Sequence, residues 1–73
     1  MKTENFRVYL RDEKGNAVTF ERFACKTLKS VIRNMHILLD NNLYRTAAGE
    51  IASAEYYTVI AGKIDKLVKC ERV

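Results

Sequence analysis

The chain has no proline and no tryptophan, three glycines, one histidine and two widely separated cysteines. Each scarcity closes off a class of chemistry. Zinc sites are usually marked by paired Cys or His at short spacing. Cys25, His36 and Cys70 are scattered, with no CxxC and no HxxxH, so no metal is expected. Gly15, Gly49 and Gly62 are isolated, which leaves no glycine-rich phosphate loop and no expected cofactor. A catalytic triad needs a nucleophile, a base and a group that orients the base. His36 and Asp40, four apart, are the one base–orienter pair, and Cys25 would have to be the nucleophile from an apolar strand end that disfavours a thiolate. The simpler reading makes His36 a surface residue bonded to Asp40 or water. No catalytic residue is assigned, and no enzyme is expected. The sequence also lacks an apolar run of signal-peptide or membrane length, and Met1-Lys2-Thr3-Glu4-Asn5 leads straight into a strand-like segment. A cytoplasmic protein with no membrane partner is expected, in which Cys25 and Cys70 are small buried hydrophobes.

What is present suffices for one core. Apolar residues form 48% of the 73, which argues for folding over disorder, and the length predicts one α+β domain over residues 1–73. A core this small rarely supplies more than about 3–5 kcal/mol. Homodimerisation is therefore an expected reinforcement.

Phe6, Val8 and Leu10 alternate with Arg7, Tyr9 and Arg11, the period of a half-buried strand. With Glu13-Lys14-Gly15 as a three-residue loop and Gly15 left-handed, the segment from Phe6 to Cys25 reads as a β-hairpin. That register pairs Leu10 with Val18 and Val8 with Phe20 on one face. On the other it pairs Arg11 with Ala17, Tyr9 with Thr19 and Arg7 with Glu21. The pattern then fails, turning Arg22 inward and Phe23 outward, and a bulge or strand end near Arg22 is the expected repair. Thr27 caps a helix running to about Asn41, with Leu28, Val31, Ile32, Met35, Leu38 and Leu39 as its apolar stripe and Asn41-Asn42 as its stop. Residues 46–54 suit a short helix or an ordered loop. Tyr56 to Ile60 has the composition of a strand, Gly62-Lys63 suits a tight turn, and Ile64 to Val73 would return as a second hairpin. The alternative makes residues 63–72 helical, because Ile60, Ile64, Leu67 and Val68 share a helical face and lysines recur every three residues. The expected fold is ββαββ, an antiparallel sheet with the helix on one face. Its expected core is Phe6, Val8, Leu10, Val18, Phe20, Leu28, Val31, Ile32, Met35 and Leu39.

Two basic surfaces remain as binding candidates, in keeping with a net charge of +4. The first is a helix row, Arg22, Lys26, Lys29, Arg33 and His36, whose cations could lie along a phosphate backbone; most such rows are solvated faces. The second is the sheet face carrying Arg7, Tyr9 and Arg11, with tyrosines from 56–57 as candidates to join it. Basic and aromatic residues interleaved on an open sheet suit stacked single strands. The same face also suits a dimer contact, or a solvated surface tied by an Arg7–Glu21 pair. By elimination, the expected function is a small regulatory or inhibitory protein acting on a macromolecular partner, with a protein favoured and direct nucleic-acid binding as the alternative. A nucleic-acid-handling enzyme would be an apt target for mild basicity. In size alone, the chain is like accessory proteins of phages and mobile elements.

Overall fold

A computed structural model describes residues 3–40 and 51–73. The alternation of Phe6, Val8 and Leu10 becomes strand β1 (Phe6–Arg11), paired antiparallel to β2 (Ala17–Phe23). The loop between them is the expected three-residue turn. Asp12 and Asn16 close it, with Asp12 N–H donating to the Asn16 carbonyl at 3.0 Å, and Gly15 takes φ 87°. The Asp12 carboxylate accepts from the backbone N–H groups of Lys14 and Asn16, each at 2.9 Å. Helix α1 (Leu28–Leu39) begins at the Thr27 cap, whose hydroxyl accepts from Ser30 N–H at 3.3 Å. The chain returns as β3 (Ser53–Ile60) and β4 (Lys63–Arg72), joined at Ala61-Gly62. The result is a four-stranded antiparallel sheet in the order β2-β1-β3-β4, the expected ββαββ arrangement. Residues 63–72 form a strand, so the helical alternative is set aside. The proposed helix stop at Asn41-Asn42 and most of the 46–54 segment lie outside the described residues; Ser53 and Ala54 belong to β3.

One face of the sheet carries the core. Phe6, Val8, Leu10, Ala54 and Tyr56 pack with Val31 and Met35 of the helix, and Phe23, Leu28, Ile32, Leu38 and Leu39 close in around them. Among the described residues, no helix is long and apolar enough to cross a membrane.

The hairpin register differs from the expected one by a single residue. Arg11 still faces Ala17, but Leu10 faces Thr19, Val8 faces Glu21 and Tyr9 faces Phe20. Val18 is thus the extra residue of a bulge next to the turn. Slipping by one residue exchanges the faces of a strand. Phe23 turns inward opposite Phe6, while Phe20 and Arg22 turn outward. Val18 and Phe20, expected in the core, are 38% and 43% exposed. The bulge lies at the start of β2 and not near Arg22, because the inward pull of Phe23 fixes the phase of the whole strand.

The last strand is irregular as well. Register breaks on either side of Tyr57 make Ile64, Leu67, Cys70 and Arg72 the β4 partners of Val59, Tyr57, Glu55 and Ser53. β4 forms an outer edge of the sheet, with Lys63 and Lys66 exposed along it. Cys70, expected to be buried, is exposed, and Cys25 is half-buried against the core.

Candidate functional site

The sheet face opposite the helix gathers what the bulge releases. Cross-strand pairing lays Phe20, Tyr9 and Glu55 in one row, from β2 through β1 to β3. A neighbouring row holds Arg22, Arg7 and Tyr57, and Arg11 stands beside Ser53 on the other side. Three rings on three adjacent strands result. The Tyr9 centroid lies 5.6 Å from that of Phe20, tilted by 38°, and 5.6 Å from that of Tyr57, edge-on at 85°. Such offset and edge contacts suit ring quadrupoles.

Guanidinium groups surround the rings. Arg7 and Arg22 lie 5.8 and 5.3 Å from the Phe20 centroid, within cation–π range. Arg7 forks onto Glu4, its Nε and Nη2 each donating at 2.8 Å, and its Nη1 reaches the Tyr9 hydroxyl at 3.4 Å. The register sets Arg22, and not the expected Glu21, opposite Arg7 on β2, and puts Glu21 opposite Val8. Arg11 Nε donates to Glu55 at 2.6 Å, and its Nη1 donates to the Gly15 carbonyl at 2.9 Å. The Tyr57 hydroxyl donates to the same Glu55 oxygen at 3.0 Å. The hydrogen bond from Arg7 holds the Glu4 carboxyl below its ordinary pKa, and Arg11 does the same for Glu55. Burial, then the Glu55 contact, pushes the Tyr57 phenol up. Arg22, by contrast, only approaches Glu4, at 3.9 Å, and its side chain is 64% exposed. Arg72, opposite Ser53, is exposed too.

Of the expected sheet-face residues, the structure brings Arg7, Tyr9 and Arg11 together with Tyr57 and adds Phe20, Arg22, Glu4 and Glu55. Tyr56 is turned inward and fully buried. A signal for Phe20 and Arg22 was present in Phe23, whose burial demands the phase that turns them outward.

The expected helix row is divided. Lys29, Arg33 and His36 line one open depression with Ser30 and Ile32, and Lys26 is exposed ahead of the cap. Arg22 belongs to the sheet face. His36 meets Glu71 of β4, with Nε2 2.9 Å from Oε1, whereas Asp40 contributes its backbone N–H to the His36 carbonyl. The Tyr56 hydroxyl donates to the same Glu71 oxygen at 2.6 Å. Burial raises the Glu71 pKa, but the bonds from Tyr56 and His36 and the nearby Lys69 charge outweigh it and leave the carboxyl below its ordinary value. Burial and the Glu71 bond push the Tyr56 phenol upward. The trio clasps the helix to the end of β4. Sequence spacing gave no sign of it, since Glu71 lies 35 residues from His36. Among the described residues, no group of three His, Cys, Asp or Glu is placed to hold a metal ion.

Set against known protein families, curated proteins and solved structures, the chain matches none of them.

Proposed function

We propose that the protein is a small non-enzymatic binding protein, of regulatory or inhibitory kind, that works by docking a macromolecule on the open face of its sheet. One observation carries this reading: three aromatic rings on adjacent strands, set among arginines, on the side the helix does not cover. Aromatic residues and arginine are the types enriched where binding energy concentrates. The internal bonding of Arg7 and Arg11 holds the rings in place beforehand, which lowers the ordering penalty of association. The two free thiols suit a reducing, cytoplasmic setting. The test is affinity capture from the native source at low and high salt, with wild-type protein and the Phe20→Ala/Arg22→Ala variant side by side. A macromolecule retained by the first and lost with the second is the expected result. Capture that is the same for both proteins, or no capture by either, overturns the reading.

A further inference from the structure

We propose that the occupant of the open sheet face is a single-stranded nucleic acid; the proposal rests on the reading that this face is the working surface. Charge selects the class of partner. Arg7, Arg11, Arg22 and Arg72 stand on the face or across from its residues, against the carboxylates Glu4 and Glu55. Both carboxylates are already bonded, to Arg7 and Arg11, and Arg22 keeps most of its side chain in water. A second copy laid face to face would set arginines against arginines with few acids to answer them, and like-charge juxtaposition disfavours that partner. A polyanion meets no such penalty.

The rings select among polyanions. Phe20 is 43% exposed, and Tyr9 and Tyr57 continue from it across β1 and β3 at 5.6 Å steps. Every nucleotide of a single strand supplies both a flat π face for a ring and a phosphate for a guanidinium. In a duplex the base faces are stacked on one another and cannot reach a sheet, so single strands are the form that fits. The helix row of Lys29 and Arg33 has no Phe or Tyr beside it in its depression, and the imidazole there, His36, is engaged by Glu71; the β4 edge offers lysines without stacked aromatics.

The test is fluorescence anisotropy with labelled oligothymidylate and oligouridylate of about twelve nucleotides, within the site sizes of sheet-based single-strand binders, alongside a duplex of the same length. Single strands are expected to bind more tightly than the duplex. Phe20→Ala should weaken them about 5- to 150-fold, the range of one lost ring–base stack, while its circular dichroism stays that of wild type. Arg22→Gln/Arg72→Gln should flatten the log–log salt dependence by about 1.4, as expected for two lost phosphate contacts on a single strand. Because the protein has no tryptophan, its tyrosine emission is readable and should be quenched as bases stack on Tyr9 and Tyr57. No anisotropy change at micromolar protein and about 50 mM salt, where phosphate contacts are strong, overturns the inference. So does binding that survives Phe20→Ala but is lost with Lys29→Gln/Arg33→Gln. A dimer in light scattering that Phe20→Ala dissociates and oligonucleotides leave intact overturns it also, as the face would then hold a second copy. If oligonucleotides fail while nuclease-resistant, Phe20-dependent capture of a protein persists, this inference falls and the broader docking reading stands.

Discussion

The two faces of the sheet are held by different physics. The inner face is dry: Val8, Leu10, Tyr56, Val31 and Met35 are wholly buried, and their stabilisation scales with apolar area removed from water. The outer face uses comparable aromatic material but keeps it partly wet, fixed by Arg7–Glu4, Arg11–Glu55 and ring–ring contacts. Ion pairs near the surface, as these part-buried ones are, contribute less to stability individually than core burial does. Their evident effect here is orientation. One face therefore decides whether the protein folds, and the other, which folding depends on less, is the one proposed to meet a partner.

Breaking the inner face should have the largest effect. Met35→Asp places an unpaired charge among Val8, Leu10 and Tyr56 and should abolish folding. The expected result is a far-UV circular dichroism spectrum without a cooperative thermal transition. A wild-type melt would mean that the helix packs by another side.

Acid titration engages both faces at intermediate strength. Glu4 and Glu55 outside and Glu71 inside all have folded pKa values below their ordinary ones. Groups with depressed values add stability that is complete above about pH 5 and is lost as the pH falls through the folded values. The urea midpoint should therefore fall steadily below about pH 5. Glu71→Gln and Glu4→Gln/Glu55→Gln should each flatten part of that acid limb, and a limb unchanged by one of them would free that face from dependence on its carboxylates.

The smallest effect belongs to the turn that joins β3 to β4. Ala61 has φ 53° and Gly62 φ 78°, the pair of positive angles that favours Asn-Gly in two-residue hairpins. Ala61→Asn should raise stability by about 0.5–1 kcal/mol, read as a melting-temperature increase with unchanged oligonucleotide affinity. A loss of stability would indicate that the alanine side chain makes a contact worth more than its strain.

These differences also explain what could be read from the residues alone. The helix, its Thr27 cap, the Gly15 turn and the inward set Phe6, Val8 and Leu10 are local patterns, and periodicity reveals them. The register of β2 is not local in that sense, since Val18 gives no mark of being a bulge. Only the competition between Phe20 and Phe23 for the inner face decides it. The same holds for β4, where two breaks space the outward residues Ile64, Leu67 and Cys70 by three and so imitate a helix. Of the candidate site, Arg7, Tyr9 and Arg11 were legible, with Tyr57 as a candidate to join them. Phe20 and Arg22 depended on one inserted residue, and Glu55 on a strand pairing 44 positions away in the chain.

The irregular edge of β4 also bears on how the chain behaves in a crowd. A regular, apolar outer strand is a template on which further copies can be laid down. Here an arriving strand would find its ladder of hydrogen bonds interrupted on either side of Tyr57's partner and would bring lysines up against Lys63 and Lys66. Fibre growth along that edge is discouraged from its first step. Growth of the sheet would then have to start from β2, the other outer strand, and the rim of the open face at Leu67 and Ile64 is left free of an added strand.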